Sequence, residues 1–285
     1  MRRIVIRRDP YTGGFLVTYP TEGEILGKMI RYILRELDRA LRSKSAYVYL
    51  AGIFVLCILA NIAVVAFRTV YGTNEGTYAY NIMEYAAWSF IVPYLSCIII
   101  AHMIMGKEYP DPHIKDGVTS GLNRIQIYLS KLTAGVLLAS VFLVITYVVL
   151  VAATSGFHIG DNTLTKEAIR AFTDKMVLAL PLFLAGISFG IMFLFIFRDR
   201  RKAYAGFYIL TFAIPRLVIL LAKDPPGVGV FKVLKKYTIS QCFTLIPYPS
   251  SPDRSVPFIV GLGIVYSVIS TVIGIAVYNS SERKR

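Results

Sequence analysis

The feature that most constrains this chain is a set of six apolar stretches, each long enough to cross a lipid bilayer as one helix. We place them at Ala46 to Phe67, Ala86 to Met105, Leu132 to Ala153, Met176 to Phe197, Ala203 to Ala222 and Pro257 to Tyr278. About twenty to twenty-two helical residues extend about 30 to 33 Å, which matches a hydrocarbon core about 30 Å thick. The sequence therefore predicts an all-α polytopic membrane protein with six transmembrane helices.

Composition and charge support this prediction and indicate an orientation. Hydrophobic residues make up 55% of the chain and charged residues 17%, whereas soluble proteins have about 45 to 50% and about 25%. Of the 31 Lys and Arg residues, 21 lie on the side of the spans that holds both termini and nine on the other. The positive-inside rule then predicts that both termini lie in the cytoplasm. Membrane topology explains the net charge of +14 without a nucleic-acid partner.

Residues 1–45 precede the first span and divide into two parts. Residues 1–21 alternate apolar and polar side chains around a turn-rich run from Asp9 to Gly14, which fits either a small β-hairpin or a disordered basic arm. The stretch Glu22 to Lys44 has one apolar helical face, with basic residues around the rest. This pattern is typical of an amphipathic connecting helix in the headgroup region. The apolar face contains Leu26, Ile30, Ile33, Leu37 and Leu41.

The connection between spans five and six, residues 223–256, is too long for a simple loop. It contains apolar segments separated by five prolines. Unstructured loops longer than about 12 to 15 residues are uncommon in compact proteins. We therefore predict short external helices in this region.

The longest polar connection on the more basic side is residues 106–131. Pro110 and Pro112 end any preceding helix, since proline lacks the backbone N–H and disfavours helix in the residue before it. Asn123 stands at an N-cap position with Gln126 three residues later, as in a capping box. Helix is expected to restart at about Arg124 and to continue into the third span.

The same connection carries a family pattern: a glutamate after the second span, a glycine, a Ser-Gly-x-Asn-Arg run and an Ile-Tyr-x-Ser-Lys run. In these residues the chain resembles the ABC-2 type permeases of ATP-driven exporters. The pattern consists of Glu108, Gly117, Ser120, Gly121, Asn123, Arg124, Ile127, Tyr128, Ser130 and Lys131. The resemblance implies that residues 46–285 form one six-span domain and that residues 106–131 couple it to a separate ATPase. The residues expected at that coupling site are Glu108, Asp111, His113, Lys115, Asp116, Gly117, Ser120, Gly121, Asn123, Arg124 and Tyr128.

No nucleotide site is predicted in this chain. The nearest approach to a G-x-x-x-x-G-K-[ST] phosphate cradle is Gly23 to Met29, which has the wrong glycine spacing and a methionine where magnesium needs a hydroxyl. ATP and Mg are therefore expected on two copies of a partner ATPase. The three cysteines form no C-x-x-C pair and the three histidines have no metal-ligand spacing. We predict a transport subunit without catalytic or metal-binding residues.

Family likeness places the translocation path along spans two and five. The residues expected to line it are Asn61, Trp88, Phe90, Tyr94, Phe207, Phe212 and Arg216. Lipid-facing or packing roles for the aromatic residues, and a position of Arg216 near the external headgroups, are open alternatives. A second permease chain, as homodimer or heterodimer, and membrane lipids are the other expected partners. An amphiphile such as an antimicrobial peptide, a drug or a lipid suits an aromatic path with few carboxylates.

Two alternatives need no ATPase. A proton-coupled secondary transporter would require buried carboxylates, yet the six stretches contain no Asp or Glu. A structural or immunity membrane protein remains open, because its function need not depend on particular side chains.

Overall fold

The computed structural model describes residues 5–8, 15–18, 22–71, 78–106, 122–157, 164–197, 199–222, 229–248 and 255–280. These residues are helical apart from two short strands and brief connections, which confirms the predicted helical class. The helices are α1 (Glu22–Leu41), α2 (Lys44–Tyr71), α3 (Tyr78–Trp88), α4 (Ile91–Met105), α5 (Arg124–Phe157), α6 (Lys166–Ile196), α7 (Arg200–Tyr208), α8 (Ile214–Leu221), α9 (Gly229–Lys236), α10 (Ile239–Leu245) and α11 (Val256–Ser280).

The two strands lie in the N-terminal arm. Strands β1 (Val5–Arg8) and β2 (Phe15–Thr18) pair antiparallel, with Val5 opposite Thr18 and Arg8 opposite Phe15. Of the two alternatives left open by the sequence, the structure contains the β-hairpin.

Five helical segments of the described chain are long and apolar enough to cross a membrane, and a bent pair of helices would make a sixth. The five are Lys44–Phe67, Arg124–Phe157, Lys166–Ile196, Arg200–Leu221 and Val256–Ser280. They extend beyond several of the predicted stretches, because polar turns at the helix ends carry no hydropathy signal.

The bent pair lies where the sequence predicts the second span. The prediction of one continuous helix from Ala86 to Met105 is therefore wrong. The segments Tyr80–Trp88 and Ile91–Met105 meet at an angle of 56°. Pro93 lies in the first turn of α4, where its missing N–H costs no intrahelical hydrogen bond. The Ser89 hydroxyl donates to the carbonyl of Tyr85 at 2.8 Å at the end of α3. The apolar run continues through this break, so hydropathy does not reveal it.

The fifth predicted span is also irregular. Between α7 and α8, residues Ile209–Ala213 form a turn of π-helix. Pro215 follows this turn after Ile214, and in a regular α-helix its ring would meet the carbonyl of Thr211 four residues earlier. The π-helical turn is wider than an α-helical turn, and it contains Thr211, the residue whose carbonyl would otherwise clash with the proline ring.

Helix α6 is the centre of the bundle, with α11 and α4 packed on it. Of its most apolar 18-residue window, 72% is buried, against 11% for α2. A Cβ added to Gly263 of α11 would lie 2.6 Å from the backbone carbon of Pro181, so only glycine allows this approach. The hydroxyls of Ser188 and Ser267 also meet across these two helices at 2.9 Å. Such contacts between small residues are typical of helix packing in membranes.

Two short helices, α9 and α10, lie in the region where the sequence predicts them. Thr238 caps α10 by accepting a hydrogen bond from the backbone N–H of Gln241 at 3.3 Å. The Tyr266 hydroxyl of α11 donates to the carbonyl of Tyr237 at 3.0 Å. Cys242 and Phe243 are buried. Both helices are therefore attached to the main bundle.

Candidate coupling site at the base of the bundle

A buried group of charged side chains joins α1 to the ends of α4 and α5. Glu36 of α1 and Lys131 of α5 are each only 1% exposed, and the Glu36 Oε1 to Lys131 Nζ distance is 3.9 Å. Arg39 forms a salt bridge with the other carboxylate oxygen of Glu36. Buried charges are strongly unfavourable unless they are paired. We call Tyr32, Glu36, Arg39 and Lys131 the basal cluster.

The sequence of α1 explains why these residues come together. Tyr32, Glu36 and Ala40 are spaced four residues apart, so they share one face of the helix, and all three are buried. The Lys131 ammonium lies 5.9 Å from the centre of the Tyr32 ring, and the Arg35 guanidinium lies 5.5 Å from it. These cation–π contacts add to the ion pairs. The buried face of α1 thus presents an aromatic ring and a carboxylate to α5.

Arg39 connects the basal cluster to the end of α4. Its Nη2 atom donates to the carbonyl of Ile104 at 2.7 Å. A cation at this position satisfies one of the carbonyls that a helix C-terminus leaves without an intrahelical partner. Gly106 ends α4 with a φ of 55°, and an added Cβ would lie 2.8 Å from Arg39 Nη2. The positive φ therefore favours glycine there, and the guanidinium occupies the space beside its Cα.

Helix α5 begins after residues 107–121 and reaches the basal cluster in its third turn. Leu122 is buried, and the backbone N–H of Asn123 donates to Gln126 Oε1 at 2.8 Å, which is one half of the predicted capping box. The helix begins at Arg124, as predicted, and its contact with the cluster is made by Lys131. The two helices that flank residues 107–121 therefore both contact one cluster, α4 through Arg39 and α5 through Lys131. Displacement of either helix would act on α1, α4 and α5 together.

Most residues predicted to dock an ATPase cannot be placed. Glu108, Asp111, His113, Lys115, Asp116, Gly117, Ser120 and Gly121 lie outside the described residues. Asn123 is exposed and Arg124 half-buried at the start of α5. Tyr128 is fully buried, and its ring centre lies 5.0 Å from that of Phe195. Tyr128 therefore packs α5 against the bundle, and docking through Asn123 and Arg124 stays a prediction.

The residues predicted to line a translocation path do not form one site. Tyr94 and Phe207 are buried with a ring-centre distance of 6.5 Å, and Phe243 of α10 lies 5.2 Å from Tyr94. Asn61 is fully buried and donates to the carbonyl of Cys57 in its own helix at 2.8 Å. These three predicted residues therefore have packing contacts.

Of the other four predicted residues, three are exposed and Phe90 is buried. Trp88 contacts Tyr248 edge to face with ring centres 4.7 Å apart. Phe212 and Arg216 are exposed, and the guanidinium carbon lies 5.6 Å from the centre of the phenyl ring. Phe90 lines an apolar cavity beside α2. The path along spans two and five stays a prediction.

Sequence reasoning missed the pair of Glu36 and Arg39, because the amphipathic pattern places Arg39 among the basic residues around α1 and gives no role to Glu36. A signal was present in the spacing. Glu36 follows Tyr32 and precedes Ala40 by four residues each, so it stands in line with residues of the buried face. A single carboxylate in such a line indicates a buried partner of opposite charge. No group of three or more His, Cys, Asp or Glu that could hold a metal occurs in the part of the chain that the structure describes.

The fold and the basal cluster together define a class: a multi-pass helical membrane protein whose N-terminal amphipathic helix is joined to the bases of its spans. The family model for ABC-2 family transporter proteins matches residues 33–212 of this chain, which is more than half of its length. The chain belongs to this family, and the resemblance seen in the sequence is confirmed. The matched range contains Glu36, Arg39 and Lys131. A search of curated proteins found no match.

Proposed function

We propose that this ABC-2 family chain is the permease subunit of an exporter in a plasma membrane. It moves an amphiphile, such as an antimicrobial peptide, a drug or a lipid, using ATP and Mg bound by two copies of a separate ATPase subunit. A second permease chain, identical or similar, completes the translocation path. The chain spans the membrane six times with α3 and α4 as one bent span, and both termini are cytoplasmic. The unequal distribution of Lys and Arg supports this orientation.

The observation that carries the proposal is that the two helices flanking residues 107–121, α4 and α5, both contact the basal cluster. A separate ATPase has to deliver its energy through a contact, and residues 106–131 are the proposed contact. Arg39 holds Ile104 two residues before Gly106, and Glu36 pairs with Lys131 at the other end. A push on the segment would therefore move α1, α4 and α5 as one unit instead of being absorbed by a flexible loop.

The proposal is tested by comparing two carboxylates of α1 that lie two residues apart. Glu36→Gln removes the carboxylate from the buried cluster, where breaking a charge pair costs about 3 to 5 kcal/mol. Asp38→Asn is the matched control, since Asp38 and Arg42 form an exposed pair with side chains 61% and 79% exposed. Such a pair contributes about 0 to 1 kcal/mol. We expect Glu36→Gln to uncouple ATP hydrolysis from transport and Asp38→Asn to behave as wild type.

The measurement uses the full chain purified from native membranes together with the ATPase that co-purifies with it. Substrate-stimulated ATP hydrolysis and membrane insertion are recorded for each variant. Equal stimulation in Glu36→Gln and wild type would contradict a coupling role for the cluster. Loss of insertion in Glu36→Gln would assign the cluster to folding, and absence of any co-purifying ATPase would contradict the proposed function itself.

A further inference from the structure

An apolar cavity of about 820 Å³ separates α2 from the rest of the bundle. Helix α2 forms one wall, α5 a second, and α3, α4 and α6 the inner side. Its size falls within the range of about 300 to 1,000 Å³ that is typical of small-molecule sites. Six residues mark its walls: Cys57, Ala60, Phe90, Cys97, Leu143 and Leu184.

Most of the hydroxyl groups that line the cavity already have hydrogen-bond partners. Four hydroxyl groups donate to carbonyls of their own helices at 2.7 to 2.9 Å, namely those of Ser89, Ser96, Ser140 and Thr146. A buried water needs about two to four polar partners to be held in place. The cavity offers few, so its lining favours an apolar occupant.

The two ends of the cavity differ in chemistry. At the end nearer α1, the Tyr49 ring stacks on Phe142 with centres 5.2 Å apart, and its hydroxyl lies 2.8 Å from Ser96 Oγ. At the opposite end, Lys175 Nζ lies 2.6 Å from Glu84 Oε2, with side chains 13% and 30% exposed. These two residues directly adjoin the lining residues Met176 and Tyr85. One end of the cavity therefore has the Tyr49 and Phe142 rings, and the other end lies next in sequence to one positive and one negative side chain.

We propose that this cavity binds one acyl chain of a zwitterionic phospholipid from the leaflet opposite α1, with the headgroup at Glu84 and Lys175. Along α2 the lining extends from Tyr49 to Val64, which is about 22 Å of helix. One leaflet provides about half of a core about 30 Å thick, so the cavity is deep enough for a whole chain. The ammonium of Lys175 suits a lipid phosphate, and the carboxylate of Glu84 suits a lipid ammonium group. This site is independent of coupling to an ATPase.

The test uses the full chain in phosphatidylcholine vesicles doped with a phosphatidylcholine that carries a photoactivatable diazirine near the end of one acyl chain. Labelled residues are located by mass spectrometry. We expect label on Cys97 and Ile100, which line the cavity and are otherwise buried, as well as on Val144, which is exposed on α5. Val144 serves as the internal reference for lipid outside the cavity.

Two cavity-filling variants from opposite walls are compared with one matched control. Ala60→Phe on α2 and Ala139→Phe on α5 place a ring in the cavity, whereas Ala152→Phe places it on an exposed part of α5. We expect the first two to lower labelling of Cys97 and Ile100 about tenfold relative to Val144, equivalent to about 1.4 kcal/mol. Ala152→Phe should leave the ratio unchanged. Ala60 is exposed, so its variant still tests the proposal if Ala139→Phe fails to fold.

The headgroup is tested with a phosphatidylglycerol that carries the same photoactivatable chain. We expect weaker labelling of Cys97 and Ile100 by this anionic lipid, and loss of the difference in a Glu84→Gln, Lys175→Gln double variant. Wild-type label on Val144 but not on Cys97 or Ile100 would overturn the proposal. So would unchanged labelling in both cavity-filling variants, or equal labelling of the wild type by the two lipids.

Discussion

Helices α6 and α2 are both long and apolar, yet they have opposite positions in the molecule. Most of α6 is buried, while α2 contacts the bundle mainly through α5 and exposes large side chains such as Phe54, Leu56 and Leu59. Lipid tails are as apolar as leucine, so hydrophobicity alone does not select the central helix. Close packing does: α6 meets its neighbours through small residues, whereas a Cβ added to Gly52 of α2 would meet nothing within 4 Å.

The largest expected difference between the two helices concerns a leucine on each. Leu182 of α6 is completely buried, and Leu59 of α2 is 56% exposed. We expect Leu182→Ala to lower the free energy of unfolding by about 2 to 5 kcal/mol, because it leaves a cavity in the core. Leu59→Ala should change it by less than about 0.5 kcal/mol. Denaturant titration of each variant in lipid bicelles measures both free energies of unfolding. Similar losses of stability in the two variants would contradict the difference between α6 and α2.

A smaller effect is expected for two glycines of α11, only one of which faces α6. Gly263→Ala would place a methyl group against the backbone of Pro181, whereas Gly261 has open space around it. Overpacking of this kind costs about 1 to 3 kcal/mol. We expect a loss in this range for Gly263→Ala in the same titration and little change for Gly261→Ala. Equal stability of the two variants would show that α11 can move away from α6 at no cost.

The smallest expected effect concerns the hydroxyl pair between α6 and α11. Ser188→Ala removes the contact with Ser267, and hydrogen bonds between membrane helices are worth about 0.6 kcal/mol on average. The control is Ser140→Ala, because Ser140 donates only to the carbonyl of Val136 in its own helix. A double-mutant cycle of Ser188→Ala with Ser267→Ala isolates the pair. A coupling energy of zero would leave the glycine contacts as the main determinant of this interface.

The positions of five of the apolar helices could be predicted from sequence because bilayer thickness sets a minimum length. The start of α5 at Arg124 could also be predicted, since a capping pattern requires only local chemistry. The central position of α6 depends on which faces meet, but one signal was overlooked. Gly186 and Gly190 form a G-x-x-x-G pair, and both pack closely on α4.

The basal cluster and the cavity were not predictable in the same way. Glu36 and Lys131 are 95 positions apart along the chain, and their pairing depends on how α1 lies across the bundle. The break at Ser89 and Phe90 does not interrupt the apolar run, so it changes the direction of the chain without changing its hydropathy. The cavity exists because α2 is held away from α4 and α6, which is a property of the assembled helices.

The π-helical turn at Ile209–Ala213 has a consequence for tolerance to insertions and deletions. Such a turn holds one residue more than a regular α-helical turn, so it is equivalent to a single-residue insertion. Each residue of an α-helix advances the side chains by about 100°. Deleting one residue within this turn would shorten it to an α-helical turn, bring the Pro215 ring against the carbonyl four residues before it, and rotate Arg216 by about that angle relative to α7. The number of residues in this turn therefore determines which neighbour Arg216 faces.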